Sequence, residues 1–293
     1  MKGIYMKNNY CILTDSGTDL TPAQAKELDI KILDLTVLID GEEPQKDSEV
    51  DLKKMYSLLR DKKGATTSAI NIDDFLAAME PVLKEGKDIL YLGFSSGLSS
   101  TYSAGKVAAE ELAEKYPERK IYTVDTLCAS LGEGLLVYLV AKMRLDGADI
   151  EEAYRFAEDN KLNLCHQFTV DDLFFLHRGG RVSKTSAVMG TVLQIKPVLH
   201  VDNDGKLIKI GTVRGRKASL NALFDNTKKT IINPTEQVMF ICHGDCEDEA
   251  KYLAERFKNE LGVKDVIIGY TGAVIGSHSG PGTMAVFYLG TER

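Results

Sequence analysis

Small hydroxyl side chains recur where predicted strands end and helices begin. These segments are Thr14-Asp15-Ser16, Thr66-Thr67-Ser68, Ser95-Ser96-Gly97-Leu98-Ser99 and Asp125-Thr126. Hydroxyls and backbone N–H groups at helix starts bind anions, helped by the positive end of the helix dipole. Because the carboxyl ends of parallel strands meet at one sheet edge, we expect these segments to form a shared anion site. Any one of them alone is more typical of ordinary helix capping.

One of these segments also fits the pattern of a catalytic serine. Gly93-Phe94-Ser95-Ser96-Gly97 matches G-x-S-x-G between a predicted strand and a predicted helix. Ser95 would then be the nucleophile, with His278 near the C-terminus as its base. No HGGG-type oxyanion segment precedes it, and five-residue glycine patterns carry little specificity on their own. A serine esterase or hydrolase is therefore kept as the alternative function.

Basic residues are concentrated at two places in the second half of the chain. Arg178-Gly179-Gly180-Arg181 combines glycines, which allow close backbone approach, with guanidinium groups that pair with carboxylate or phosphate. Arg214-Gly215-Arg216-Lys217 is the densest basic spot, and it fits either a solvated helix start or a docking patch for a negatively charged partner. His278 lies in the glycine-rich segment Gly276–Gly282, which suits a tight turn or close contact with a ligand.

The first part of the chain alternates between strand-like and helix-like segments. Strands are predicted at Tyr10–Thr14, Ile32 to Ile39, Asp88–Phe94 and Ile121–Val124, with helices between them and Gly64–Asn71 as a polar connector. This alternation predicts an α/β fold whose N-terminal domain, residues 1–160, has three α/β/α layers around a mainly parallel sheet.

The pattern changes in the remaining part of the chain, residues 161–293. Pro197–Val201 and Lys206–Val213 flank Asp202-Asn203-Asp204-Gly205, a strong signal for an antiparallel hairpin. Further strands and helices follow it. We therefore predict a C-terminal α/β domain with a mixed sheet containing a hairpin, and this domain supplies His278 and Arg181.

Composition excludes several classes of protein. The 293 residues are 44% hydrophobic and 27% charged, and the net charge of −7 offers no concentrated basic face for nucleic acid. No apolar run approaches the roughly 20 residues of a membrane helix, and the first residues lack a signal peptide, so we expect a cytoplasmic protein without stable membrane insertion. The 5 cysteines are scattered, which opposes a disulfide framework. Cys242, His243 and Cys246 lack a second ligand pair, so no metal is expected.

At these motifs the sequence resembles the DegV family of bacterial fatty-acid-binding proteins, which includes the binding subunits of fatty acid kinase. The resemblance runs through Thr14-Asp15-Ser16, Thr67-Ser68, Ser95-Ser96-Gly97-Leu98-Ser99, Val170-Asp171-Asp172-Leu173, Gly179-Gly180-Arg181, Lys196-Pro197 and Gly276–Gly282. It implies one fatty acid held between two α/β domains. By motif, Thr67 and Ser99 would bind the carboxylate, His278 would lie beside them, and Arg181 would occupy the position of the family's GGR arginine.

The resemblance also implies a role without catalysis by this chain. No Walker A or kinase glycine loop is present to hold ATP. The resemblance implies that a separate kinase subunit would phosphorylate the presented carboxylate. The expected ligand is a long-chain fatty acid such as palmitate, with no other cofactor, and the cargo leaves as acyl phosphate. Ser95 and Ser96 are added as candidate ligand-binding residues, and Arg214 and Arg216 as candidate docking residues. A regulatory protein that senses a small anion is a third possibility.

The residues that would line the acyl chain, and the positions where this chain differs from the family's motifs, concern the preferred chain length. Phe94, Leu98, Phe174 and Leu193 are candidates for lining the acyl chain. The family commonly has Gln-Pro after its Thr-Ser, whereas this chain has Ala69-Ile70. This change concerns the width of the pocket and leaves the hydroxyls intact.

Overall fold

The computed structural model describes residues 9–183 and 194–293, in which strands alternate with helices. The strands are β1 (Tyr10–Asp15), β2 (Ile30–Leu33), β3 (Thr36–Ile39), β4 (Gln45–Lys46), β5 (Ala65–Ser68), β6 (Asp88–Gly93), β7 (Ile121–Asp125), β8 (Leu164–Thr169), β9 (Ile195–Val201), β10 (Leu207–Arg214), β11 (Val238–His243), β12 (Asp265–Tyr270) and β13 (Met284–Leu289). The α-helices are α1 (Pro22–Glu27), α2 (Leu52–Arg60), α3 (Ile72–Lys84), α4 (Thr101–Lys115), α5 (Leu131–Leu145), α6 (Ile150–Asn160), α7 (Leu173–Arg178), α8 (Arg216–Thr230), α9 (Glu247–Leu261) and α10 (Ala273–Ser279).

A four-stranded parallel sheet with the order β2-β1-β6-β7 forms the centre of the N-terminal half. Its strands are apolar on both faces, as expected for a sheet covered by helices on both sides. On one face Ile12 packs in the cluster that includes Leu135 of α5, and on the other Leu13 packs in the cluster that includes Phe75 of α3 and Ala108 of α4. The predicted parallel sheet with helices on each face is confirmed.

A six-stranded mixed sheet, ordered β10-β9-β8-β13-β11-β12, forms the C-terminal half. β11 and β12 are parallel, and the other neighbours, including the predicted β9–β10 hairpin, are antiparallel. Leu223 of α8 and Phe257 of α9 cover one face of the sheet, while α5 packs through Leu135 near Phe240 and Phe287 on the other. Helix α5 therefore lies between the two sheets and joins the two domains into one core.

A small antiparallel sheet, β4-β3-β5, was not predicted from the sequence. The single strand expected from Ile32 to Ile39 is divided into β2 and β3, which belong to different sheets. Between them, the Leu35 N–H donates to Ser16 Oγ at 3.0 Å. The expected connector Gly64–Asn71 contains β5, in which Val37 is the register partner of Thr67. This pairing fixes the position of Thr67 through backbone hydrogen bonds.

The glycine-rich segment expected to form a turn contains helix α10 instead. The Val274 N–H at the start of this helix donates to Asp47 Oδ1 at 3.1 Å, and Asp47 belongs to the N-terminal half of the chain. The helix ends at Gly280, which has a positive φ of 79°. A long-range cap therefore stabilises a helix that local propensity does not favour.

Two classes of structure are not found among the residues that the structure describes. Within 9–183 and 194–293, no helix is both long enough and apolar enough to cross a bilayer. In the same ranges, no three His, Cys, Asp or Glu side chains are grouped so that they could bind a metal ion.

Candidate functional site

A cavity of about 500 Å³ lies between the parallel sheet and the mixed sheet. Its volume is within the usual range of small-molecule sites. Both halves of the chain line it, and its apolar lining includes Phe94, Leu98, Phe168, Leu176, Ile275 and Phe287. Thr67, Ser96, Ser99, Arg181 and His278 also line it. An apolar cavity with a few polar groups is suited to an amphipathic ligand.

The polar residues Thr67, His278 and Arg181 form a cluster at the cavity, and its central contact joins β5 to α10. Thr67 Oγ1 lies 2.8 Å from His278 Nε2, and His278 Nδ1 lies 3.5 Å from Arg181 Nη1. Because a guanidinium can only donate hydrogen bonds, Nδ1 must accept and the ring proton is assigned to Nε2. Nε2–H then donates to Thr67 Oγ1. The Thr67 hydroxyl hydrogen is thereby left free to donate to a ligand.

His278 is neutral at physiological pH. Burial, followed by the charges of Arg181 and Arg178, lowers the pKa of His278 to about 4. Gly179 allows this placement, since a Cβ there would lie 2.2 Å from His278 Nδ1. The imidazole therefore orients Thr67 and adds no charge to the site.

The positive charge at the site belongs to Arg181. Its Nε and Nη2 donate to the Leu98 carbonyl at 3.2 and 3.1 Å, and Nη1 donates to the Gly179 carbonyl. Burial lowers the pKa of Arg181, and among the described residues no carboxylate contributes to that shift. A half-buried cation without a carboxylate partner in the described chain favours an anionic ligand.

The serines of the Ser95–Ser99 loop have different roles. Ser99 Oγ accepts from the Thr101 N–H at 3.2 Å and lies 2.9 Å from Thr101 Oγ1, so it serves the start of α4 while facing the cavity. Ser96 lines the cavity, and its N–H donates to Asp125 Oδ1 at 3.1 Å. Ser95 is fully buried, and its hydroxyl donates to the Gly205 carbonyl at 2.8 Å. It fastens the loop to the β9–β10 turn and is not among the residues lining the cavity.

This geometry does not support the hydrolase alternative. The Ser95 hydroxyl is bonded to Gly205, whereas the ring nitrogens of His278 face Thr67 and Arg181. A serine nucleophile needs its base within hydrogen-bonding reach.

The two candidate docking arginines lie in different environments. Arg214 is exposed at the end of β10. Arg216 is only partly exposed, and its Nη2 donates to Glu249 Oε2 at 2.6 Å. Arg214 is therefore available to a partner, while Arg216 mainly holds α8 against α9.

Of the residues expected to line the acyl chain, some lie at the cavity and one does not. Phe94 and Leu98 line the cavity, whereas Phe174 is 57% exposed and does not. Leu193 lies outside the described residues.

Several lining residues were not found from the sequence. His166 is buried on β8, where its Nε2 accepts from the Ala129 N–H at 3.3 Å and burial lowers its pKa well below the usual value. Cys242 and Ser279 also line the cavity. Ser279 is next to His278 in a segment already singled out, so that segment could have suggested it. His166 belongs to no motif, and its place at the cavity depends on the pairing of β8 within the mixed sheet, where it is the register partner of Phe287.

Comparison with known proteins gives consistent results over nearly the whole chain. The family model described as "Uncharacterised protein, DegV family COG1307" matches residues 9–291. A DegV domain-containing protein of Clostridium perfringens is 48% identical over 286 residues, covering 97% of this chain and 98% of the relative. One from Streptococcus pyogenes is 36% identical over 283 residues, covering 96% and 98%.

Solved structures show the same fold. A DegV lipid-binding protein of Thermotoga maritima aligns with a TM-score of 0.84 and 28% identity, covering 97% of this chain and 99% of the other. A DegV family protein of Thermus thermophilus, described as binding fatty acid, aligns with a TM-score of 0.85 and 28% identity, covering 96% and 99%.

Proposed function

Because this chain belongs to the DegV family, we propose that it binds one long-chain fatty acid in the cavity between its two sheets. The carboxylate lies at Thr67 and Ser99, and the acyl chain occupies the apolar part of the cavity. The observation that carries this proposal is the Thr67–His278–Arg181 arrangement at an apolar cavity. The lipid and fatty acid binding stated for the Thermotoga and Thermus proteins supports the same assignment.

Physical chemistry explains why both parts of the site are needed. Transfer of an acyl chain from water contributes about 0.8 kcal/mol per methylene, or on the order of 10 kcal/mol for a palmitate-sized chain. Association and ordering consume much of that gain. A buried carboxylate without hydrogen bonds would cost several kcal/mol more. Hydroxyl donors and a nearby cation at the polar group offset that cost.

Each polar residue has a separate task in this proposal. Thr67 donates to the carboxylate, while His278 holds the Thr67 oxygen in position through Nε2–H. Ser99 supplies a second hydroxyl, and the exposed Ser96 lies beside it at the cavity. Arg181 supplies the compensating charge and ties Leu98 to the end of α7.

We further propose that the chain is a cytoplasmic, non-catalytic carrier for a separate fatty acid kinase. It would present the carboxylate for phosphorylation and release acyl phosphate. Arg214 is exposed, and its charge suits a negatively charged docking surface on the kinase, whereas Arg216 is paired with Glu249.

Two measurements separate the binding step from the kinase step. Lipids extracted from the purified protein should contain long-chain fatty acid at one molecule per chain by mass spectrometry. Incubation with ATP and the ATP-binding subunit of a bacterial fatty acid kinase should then yield acyl phosphate. Bound fatty acid without turnover would refute only the kinase role, whereas a protein that binds no fatty acid would refute the whole proposal.

A further inference from the structure

One buried hydroxyl lining the cavity has no hydrogen-bond partner in the described part of the chain. Ser279 is only 5% exposed, and its Oγ makes no hydrogen bond to any described residue. Two other buried hydroxyls of the lining are satisfied: Thr271 donates to Cys242 Sγ at 3.2 Å, and Thr283 donates to the Gly280 carbonyl at 2.8 Å. Ser279 therefore differs from its neighbours in the same lining.

The lack of a partner is unusual for a serine in a helix. Buried hydroxyls are nearly always hydrogen-bonded, and a helical serine commonly donates to the carbonyl four residues earlier. Ser277, on the same helix, does this with Ala273 at 2.7 Å. Because Ser279 lines the cavity and makes no such bond, its hydroxyl is available to whatever fills the cavity.

We propose that Ser279 is a further ligand-binding residue, whose hydroxyl donates a hydrogen bond to an oxygen atom of the bound lipid; this inference rests on the proposed fatty acid binding. Two kinds of oxygen atom on such a ligand are candidate acceptors for this hydrogen bond. The carboxylate is one, because Ser279 and His278 are at the same end of α10. A hydroxyl or oxo group on the acyl chain is the other, because adjacent helical residues point about 100° apart.

The two candidate acceptors, the carboxylate and an oxygen on the acyl chain, predict different ligand preferences. If the carboxylate is the acceptor, Ser279 strengthens the binding of every fatty acid. If a chain oxygen is the acceptor, an unsubstituted chain leaves the hydroxyl unpaired, and the cavity prefers an oxygenated acyl chain of equal length.

The test compares delipidated wild-type protein with Ser279→Ala by calorimetric titration. The ligands are octadecanoic acid and its monohydroxylated forms substituted near the carboxylate, at mid-chain and near the methyl end. We expect Ser279→Ala to weaken binding about tenfold. An equal loss for all ligands assigns the carboxylate, and a loss confined to hydroxylated ligands assigns a chain oxygen.

Ser277→Ala is the matched control, because Ser277 is a buried serine of α10 that does not line the cavity. Its affinities should equal those of the wild type. Unchanged affinities in Ser279→Ala, or the same loss in both variants, would overturn the role of Ser279. If the wild-type protein bound none of these acids, the proposed function itself would fail, which is a different outcome.

Discussion

Thr67 Oγ1 lies 2.8 Å from His278 Nε2, although the two residues are 211 positions apart in the chain. Thr67 belongs to β5 in the N-terminal half, and His278 to α10 in the C-terminal half. The cluster of Thr67, His278 and Arg181 therefore forms only when the N-terminal and C-terminal halves of the chain are packed together. A ligand that binds this group must stabilise the packed state over the unfolded chain.

Gly179→Ala should weaken fatty acid binding while leaving most of the fold intact. The new Cβ would lie 2.2 Å from His278 Nδ1, so the imidazole must leave the position in which its Nε2 contacts Thr67. The backbone φ of −73° at this position accommodates alanine without strain. We expect at least a tenfold rise in the dissociation constant for hexadecanoic acid, measured by calorimetry.

Gly211→Ala is the control for this substitution, because a Cβ there meets no atom within 4 Å. Equal affinities in the two variants would show that the position of His278 does not matter for binding.

Ser99→Ala should affect both binding and stability. The variant loses a hydroxyl facing the ligand and also the bond from the Thr101 N–H at the start of α4. Loss of one such hydrogen bond typically costs about 1 kcal/mol. Urea unfolding of the delipidated protein measures the cost.

Ser103→Ala, in an exposed position of α4 outside the cavity lining, is the comparison for Ser99→Ala. Ser103→Ala should change neither the affinity for fatty acid nor the free energy of unfolding. A delipidated Ser99→Ala protein as stable as Ser103→Ala would show that the bond from the Thr101 N–H to Ser99 does not stabilise the fold.

Charge reversal should separate the two candidate docking arginines. Arg216→Glu breaks the pair with Glu249 and places a carboxylate near Asp171, so we expect it to lower the free energy of unfolding by about 1–3 kcal/mol. Arg214→Glu should change stability by less than about 0.5 kcal/mol, because Arg214 is exposed. Arg214→Glu should nevertheless slow acyl phosphate formation with the kinase subunit. Normal turnover in this variant would exclude Arg214 from docking.

The pH dependence of stability should reflect the buried Asp15. Burial raises the pKa of its carboxyl from 3.8 to about 6, despite hydrogen bonds from the Phe94 and Gly17 N–H groups. Between these values the native state holds a proton that the unfolded state has released. The stabilisation from Asp15 is thus complete below about pH 4 and is lost as the pH rises through about 6.

Asp15→Asn removes this titration. The free energy of unfolding of the wild type relative to Asp15→Asn should fall by on the order of 2–3 kcal/mol between pH 4 and pH 7. Denaturant titrations across that range measure the difference. Parallel pH curves for the two proteins would show that Asp15 titrates normally.

The sequence predicted those strands and turns whose residues carry a local signal, but not the elements that depend on contacts with distant parts of the chain. The buried strand Asp88–Gly93 and the hairpin around Asp202-Asn203-Asp204-Gly205 carry their own signals in apolar runs and turn residues. Strand β5 carries no such signal, because Thr66-Thr67-Ser68 lacks apolar alternation and becomes a strand by pairing with β3. Helix α10 likewise depends on Asp47, which is distant in sequence.

Some residues of the site could be predicted from the sequence, but the contacts between them could not. The motifs indicated Thr67, Ser99 and Arg181 as candidates, and the structure places all three at one cavity. The bonds from Arg181 to the Leu98 carbonyl and the structural role of Ser95 depend on tertiary packing. No periodicity or spacing in a single sequence specifies such packing.

Native mass spectrometry of the purified protein, compared with Thr67→Ala, tests the central claim most directly. Thr66→Ala, exposed on the same strand, is the control. We predict one long-chain fatty acid per chain in the wild type and in Thr66→Ala, and a largely empty Thr67→Ala protein. A wild-type protein without lipid, or a Thr67→Ala protein as fully loaded as the wild type, would contradict the account.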